Sequence, residues 1–113
     1  MIAQVRPAEL SAWLAAARSH GAPLLLDVRE PAELRAASVT ANGFELVCIP
    51  IGEIVQRLDE LEPGRAIACL CHHGVRSMQV AAFLQARGFA QVANIAGGIN
   101  AWSAELDPTV PRY

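Results

Sequence analysis

Apolar positions along the chain follow two patterns, which alternate from end to end. Some stretches are continuously apolar, as expected for strands that are buried on both faces. Those stretches are PLLLDVRE, FELVCIP, RAIACLC and QVANIAGG. Other stretches repeat their apolar residues three and four positions apart, as expected for amphipathic helices. Those stretches are RPAELSAWLAAARSHG, IGEIVQRLDEL and INAWSAEL.

This alternation of strands and helices predicts the fold class. Buried strands separated by helices indicate a mainly parallel sheet covered on both faces, which is an α/β three-layer domain. Glycines should end two of the helices, Gly21 the first and Gly88 the one from Ser77 to Arg87. The segment PAELRAAS should form about two helical turns, and residues 39–44 should form a loop because they contain the turn signal ANG.

Apolar faces can also be assigned within these helices. In IGEIVQRLDEL one helical face should be formed by Ile51, Ile54, Val55, Leu58 and Leu61. In the last helix the residues predicted to share a side are Ile99, Trp102 and Leu106. Helical spacing likewise predicts that both tryptophans, Trp13 and Trp102, serve packing.

Composition and charge narrow the class of protein. With 113 residues, 53% hydrophobic and 18% charged, the chain is expected to be one globular domain, residues 1–113. A net charge of -2 without a basic stripe argues against nucleic-acid binding. The apolar runs are too short to span a membrane, and the N-terminus has no secretion signal pattern. Three cysteines, an odd number, favour a reduced, cytoplasmic setting.

The stretch CHHGVRS, Cys71 to Ser77, carries the main candidate chemistry. Cys71 follows a predicted strand, at the sheet edge where ligands bind in folds of this class. A helix N-terminus, here capped by Ser77, stabilises a thiolate, the reactive form of cysteine. Gly74 permits a positive φ, so that backbone amides can curl around an anion, and Arg76 adds a permanent cation. The sequence therefore predicts that Cys71 is a nucleophile rather than an ordinary buried thiol.

The other cysteines and the two loop histidines have alternative interpretations. Cys48 and Cys69 lie in apolar strands and are interpreted as core residues, although Cys69 has the position of a resolving thiol. A metal site is not favoured, because zinc sites usually draw on two separated ligand pairs and no second pair follows this loop. His73 either donates to a bound anion or faces solvent, and for His72 the solvent-facing interpretation is favoured.

Three motifs together resemble the rhodanese-like sulfurtransferase domain. They are LLLDVREPAEL at Leu24 to Leu34, CHHGVRS at Cys71 to Ser77 and NIAGGINAW at Asn94 to Trp102. The helix MQVAAFLQARGF also resembles that family. The resemblance implies a single rhodanese-like domain with a five-stranded parallel sheet between helices, and a Cys71 that alternates between free and persulfidated forms.

The resemblance also implies roles for the residues around Cys71. It assigns substrate and anion binding to the loop that follows the cysteine, and it implies no metal or organic cofactor. The loop residues are His72, His73, Gly74, Val75, Arg76 and Ser77. Asp27 and Arg29 match the DVR motif of the family. Arg29 either assists an anionic donor or forms a network with Asp27 that holds the strand-end loop, and the network is favoured.

One turn in this chain departs from the family pattern, and a second turn is predicted from a pair of glycines. The family often carries a GHIPGA-like turn after DVRE, whereas this chain reads ASVTANGFELVCIP from Ala37. The rim of the site near Ala37 to Phe44 is therefore expected to differ from the family pattern. Gly97 and Gly98 most simply serve a tight turn from strand to helix.

Three functions are consistent with these residues. The first is an enzyme that moves sulfane sulfur from a donor such as thiosulfate to cyanide or a thiol. The second is a sulfur-relay or partner-binding module that receives sulfur from an upstream protein. The third, less favoured, is a cysteine phosphatase or arsenate reductase. Such enzymes typically place five residues between cysteine and arginine, whereas four lie between Cys71 and Arg76.

Overall fold

The computed structural model describes residues 2–17 and 22–113. The five strands are β1 (Ala3–Val5), β2 (Leu24–Asp27), β3 (Glu45–Cys48), β4 (Ile67–Leu70) and β5 (Val92–Ile95). The four α-helices are α1 (Leu10–Ala17), α2 (Pro31–Ala36), α3 (Val75–Ala86) and α4 (Gly98–Glu105). Short 3₁₀ helices cover Pro7–Glu9, Ile51–Glu53 and Leu58–Glu60. Across these described ranges, no helix has both the length and the apolar content needed to cross a membrane.

The strands form one sheet in the order β1-β5-β4-β2-β3, and every neighbouring pair is parallel. This arrangement confirms the predicted five-stranded parallel sheet. Strand β4 lies at its centre, so the residues that follow Leu70 emerge between two neighbouring strand ends. The pattern of apolar runs did not reveal β1, because that strand has three residues and Val5 alone is buried.

Side chains on alternate strand positions point to opposite faces of the sheet, and each face has its own core. On one face Leu24, Leu26 and Cys69 pack with residues of α3 such as Leu84. On the other face the buried residues of α1 and α4 cover the sheet. That second core includes Leu10, Leu14, Leu25, Ala68, Ile99 and Trp102. The two clusters give the three layers that the sequence predicted.

Helical periodicity misassigned the segment from Ile51 to Leu61. The segment forms two 3₁₀ helices joined by turns instead of one α-helix. Val55, predicted to lie on the buried face, is 67% exposed, whereas Ile54 and Leu61 are buried. A spacing of three residues suits 3₁₀ turns as well as an α-helix, and Gly52 weakens the helical alternative.

The structure differs less from the predictions at the ends of the other helices. Leu106 is 48% exposed because α4 ends at Glu105 and does not carry Leu106 onto the sheet. Trp102 is buried, as predicted, and its ring contacts that of Phe44 edge-on. The predicted cap at Gly21 lies outside the described residues.

The turn between β5 and α4 requires two glycines in the left-handed region. Gly97 has a φ of 80° and Gly98 a φ of 60°, which confirms the predicted tight turn. A Cβ atom on Gly98 would lie 2.4 Å from the carbonyl oxygens of Cys71 and His72. The absence of a side chain at Gly98 therefore allows α4 to touch the loop that begins at Cys71.

Replacement of Gly98 by alanine should destabilise the fold and displace this loop. We expect Gly98→Ala to lower the free energy of unfolding by about 2 kcal/mol or more, since it adds both a steric overlap and a strained φ. Gly52→Ala is the matched control, because no atom lies within 4 Å of the added Cβ there. Urea unfolding of both variants is the measurement. Equal stability of the two variants would contradict the assigned contact.

Candidate active site

Cys71 lies directly after β4, and its side chain is 1% exposed. The backbone N–H of Gly74 donates a hydrogen bond to the Cys71 sulfur over 3.1 Å. Gly74 has a φ of 103°, the left-handed conformation predicted from the sequence, and it is the N-cap of α3. The loop thus turns back on itself and directs an amide at the sulfur.

The carbonyl groups of the loop point the other way, toward α4. Ile99 N–H donates to the Cys71 carbonyl over 2.9 Å, and Asn100 N–H donates to the His72 carbonyl over 3.2 Å. Both carbonyls are therefore held by α4, and the backbone donor that reaches the sulfur is the Gly74 amide. The first turn of α3 adds unpaired N–H groups and the positive end of the helix dipole.

Ser77 was predicted to cap the helix, and this prediction is wrong. Helix α3 begins two residues earlier, at Val75, because Gly74 already supplies the turn. Ser77 lies fully buried in the first turn, with its hydroxyl 3.2 Å from the Cys71 sulfur and 2.5 Å from Asn94 Oδ1. A hydroxyl carries one proton, so Ser77 can donate to the sulfur or to Asn94, but not to both at once.

Asn94 fixes the position of Ser77. Its side-chain N–H₂ donates to the carbonyl of Gly74 over 3.1 Å and to Gln4 Oε1 over 3.0 Å. These two acceptors set the orientation of the amide and turn Oδ1 toward Ser77. The prediction from sequence did not include Asn94. The available signal was a polar residue inside an otherwise buried strand, at the end where β5 adjoins β4.

Arg76 is paired with a carboxylate that the sequence did not associate with the loop. Its guanidinium donates two hydrogen bonds to Glu33, over 2.6 and 2.8 Å, and Tyr113 donates its hydroxyl proton to the same carboxylate over 2.8 Å. The hydrogen bonds from Arg76 are the main reason that the pKa of Glu33 falls to about 2. Arg76 thus lies beside the loop, as predicted, but its charge is balanced.

Asp27 and Arg29 form a buried ion pair at the end of β2. Arg29 donates from Nε over 2.9 Å to Oδ1 and from Nη2 over 2.8 Å to Oδ2 of Asp27. Its remaining nitrogen, Nη1, donates to the carbonyl of Glu33 and to the Tyr113 hydroxyl. These contacts fit the predicted Asp–Arg network, which here connects the strand end to α2.

The two histidines of the loop belong to a stack of rings. His72 lies between His73, with ring centres 3.9 Å apart, and Tyr113, with ring centres 4.0 Å apart. Burial and the neighbouring His73 lower the pKa of His72, so its ring stays neutral near neutral pH. Val75, two positions after His73, is 68% exposed. The loop thus carries two stacked rings and one exposed aliphatic side chain.

The two remaining cysteines differ in burial. Cys69 is buried, as predicted, and burial raises the pKa of its thiol to about 12. Cys48 was predicted to lie in the core, but it is exposed because β3 is an edge strand. In the described part of the chain, no three His, Cys, Asp or Glu side chains come together as a metal site would require.

The unusual segment from Ala37 to Phe44 has no helix or strand. Ala37 and Val39 are buried in the core shared with α1 and α4. Thr40, Ala41, Asn42 and Phe44 line a cavity of about 440 Å³ with Leu10, Trp102 and residues near them. No residue of the loop 71–77 lines this cavity.

The pair formed by Glu33 and Arg76 should make stability depend on acid pH. Glu33 has a pKa near 4.5 without this pair and about 2 in the folded chain, so its stabilising effect is complete above pH 4.5 and is lost as the pH falls toward 2. We expect Glu33→Gln to lose less stability than the wild type between about pH 6 and about pH 3. Urea unfolding measures this difference, and Arg76→Gln should reproduce it. Equal losses in all three proteins would contradict the pairing.

Comparison with known proteins shows which family and which proteins this chain is similar to. The model of the rhodanese-like domain family matches residues 7–105. A sulfurtransferase from Allochromatium vinosum is 36% identical over 87 residues, covering 77% of this chain and 78% of that protein. The chloroplastic rhodanese-like/PpiC domain-containing protein 12 of Arabidopsis thaliana is 42% identical over 93 residues, or 79% of this chain. This chain spans 30% of the length of that second protein.

A solved structure agrees with the sequence relatives. The rhodanese-related protein from Thermoplasma volcanium superimposes with a TM-score of 0.76 and 31% identity, covering 98% of this chain and 99% of that one. The family resemblance expected from the three motifs is thereby confirmed along nearly the whole chain. Since the family model, a relative of similar length and the fold all agree, the chain belongs to the rhodanese-like domain family.

Proposed function

We propose that this chain is a sulfurtransferase that carries sulfane sulfur as a persulfide on Cys71. One observation supports this most strongly: the Cys71 sulfur accepts a hydrogen bond from the Gly74 amide, and the Ser77 hydroxyl lies 3.2 Å from it, at the N-terminus of α3. Both groups are donors without full charge, and they lie beside an atom that must be a thiolate when it attacks. The loop from His72 to Ser77 is the proposed substrate-binding loop.

Two transfers make up the proposed reaction. The Cys71 thiolate attacks the outer sulfur of a donor such as thiosulfate, the sulfur–sulfur bond of the donor breaks, and its electron pair leaves with sulfite. The Cys71 persulfide then gives its outer sulfur to cyanide or a thiol, and the thiolate is restored. This is a ping-pong sequence in which the enzyme returns to its first state. Neither a metal nor an organic cofactor takes part in it.

A sulfur-relay role uses the same intermediate with proteins as donor and acceptor. The observation that favours it is the set of apolar groups exposed in this region: Val75 is 68% exposed, and Tyr113, whose ring stacks on His72, is 40% exposed. Such a surface suits contact with another protein better than contact with a small inorganic ion. A reducing, cytoplasmic setting, which would keep Cys48, Cys69 and Cys71 free, also belongs to this proposal.

Phosphate or arsenate chemistry has less support. A cradle for a tetrahedral dianion needs an available arginine, and both terminal nitrogens of Arg76 are bound to Glu33. The loop also has four residues between Cys71 and Arg76, one fewer than those enzymes typically use.

Brief exposure to a sulfane donor should add one reducible sulfur atom to Cys71. Intact-protein mass spectrometry after treatment with thiosulfate, and separately with glutathione persulfide, measures the gain. We expect the wild type and Cys48→Ser to gain the sulfur and Cys71→Ser not to gain it. A gain that persists in Cys71→Ser would reject Cys71 as the carrier, and no gain from either donor in the wild type would reject the proposed function.

Loss of the Ser77 hydroxyl should slow loading. A hydrogen bond to a charged group is worth about 1.5–3 kcal/mol, so we expect Ser77→Ala to reduce the loading rate constant about tenfold or more. Ser103→Ala is the matched control, because Ser103 is also buried but donates to the Val110 carbonyl in another part of the fold. Stopped-flow loading of both variants is the measurement. Similar rates in the two variants would show that Ser77 does not act on the sulfur.

A further inference from the structure

The guanidinium of Arg76 already forms an ion pair with the Glu33 carboxylate in the absence of substrate. Both terminal nitrogens of Arg76 bind the carboxylate, which is the bidentate geometry of strong arginine pairs. Tyr113 donates a third hydrogen bond to that carboxylate while its own oxygen accepts one from Arg29. We call this group of Glu33, Arg76 and Tyr113 the clamp. A substrate anion would have to break the clamp to reach the guanidinium.

The second ion pair at this end of the sheet is also balanced. Arg29 is fully buried against Asp27, and neither side chain is free to turn toward the loop. His72 contributes no positive charge near neutral pH, because burial and its neighbour His73 lower its pKa. The donors at the sulfur itself, Gly74 N–H and Ser77 Oγ–H, are neutral dipoles.

This balance matters for the kind of donor that Cys71 can attack. Attack on thiosulfate brings a doubly charged anion against a thiolate, in a loop whose guanidinium is already balanced by Glu33. Like charges that meet without a compensating cation repel each other strongly. A persulfide on an organic thiol, in its protonated form, brings no charge. Its organic part also suits the stacked rings of Tyr113 and His72, and Val75 of the same loop is exposed.

We propose that Glu33, held in the clamp by Tyr113, is a specificity-determining residue that selects a persulfide carried on an organic thiol over dianionic thiosulfate. This inference rests on the persulfide function proposed above and narrows its donor. In the selected step the Cys71 thiolate attacks the outer sulfur of R–S–SH. The sulfur–sulfur bond of the donor breaks, its electron pair leaves with R–S⁻, and the outer sulfur keeps its proton as Cys71–S–SH.

The test compares two donors in wild type and Glu33→Gln. Glutamine removes the negative charge but keeps an oxygen that can accept the N–H of Glu30, as Glu33 does over 3.0 Å. Second-order rate constants for loading of Cys71 are measured with thiosulfate and with glutathione persulfide. We expect Glu33→Gln to raise the ratio of the thiosulfate rate constant to the persulfide rate constant about tenfold, since the freed guanidinium attracts the dianion.

Two further variants separate the clamp from general charge effects. Glu30→Gln removes an exposed negative charge three positions away without releasing Arg76, so the ratio should stay near that of the wild type. Tyr113→Phe changes no charge but removes the hydroxyl contact to Glu33, so the ratio should rise in the same direction as in Glu33→Gln, by a smaller factor. An unchanged ratio in Glu33→Gln, or an equal rise in Glu30→Gln, would overturn the proposal.

These outcomes are distinct from a failure of the proposed function. If neither donor loads Cys71 in any variant, both proposals fail together. If both donors load Cys71 and the ratio does not respond to Glu33→Gln, the selectivity proposal alone fails. A persulfidated cysteine desulfurase, used as a parallel donor, shows whether the favoured carrier is a protein or a small thiol. A faster rate from either carrier than from thiosulfate supports the selection of thiol-bound persulfide.

Discussion

The site depends on the contact between the Cys71 loop and the N-terminus of α4. Gly98 lacks a side chain, so the carbonyls of Cys71 and His72 can approach α4 and accept hydrogen bonds from Ile99 and Asn100. Once these carbonyls point outward, the opposite edges of the same peptide groups point inward as donors. The amide of Gly74 completes the turn. The electrostatic character of the loop is thus set by backbone geometry.

Charged and neutral groups have separate positions around this loop. The pair of Glu33 with Arg76 joins the start of α3 to α2, and the pair of Asp27 with Arg29 connects the end of β2 to α2 through the Glu33 carbonyl. The groups that touch the sulfur are an amide and a hydroxyl. Dipoles stabilise an anion without holding it as strongly as a cation would, which suits the persulfide cycle proposed for Cys71.

The sequence predicted those features that depend on neighbouring residues. The apolar runs of β2 and β4, the positive φ of Gly74 and the turn at Gly97 and Gly98 all follow from local composition. Long-range partners were not predictable in this way. Glu33 lies 43 positions from Arg76, and Asn94 lies 17 positions from Ser77, so their contacts depend on the order of the strands. For the same reason Cys48 was misassigned, since the sequence does not show that β3 is an edge strand.

Cys69 lies within β4 and Cys71 directly follows it, and this difference in position gives the two thiols different surroundings. Cys69 and Cys71 lie two residues apart and pack in the same core cluster. Cys69 belongs to the strand, where its neighbours are apolar and burial raises the pKa of its thiol to about 12, so it stays protonated. Cys71 is equally buried, but it stands one residue beyond the strand, where the turn supplies an amide and a hydroxyl. Burial therefore does not distinguish these two thiols, whereas the donors found beyond the end of β4 do.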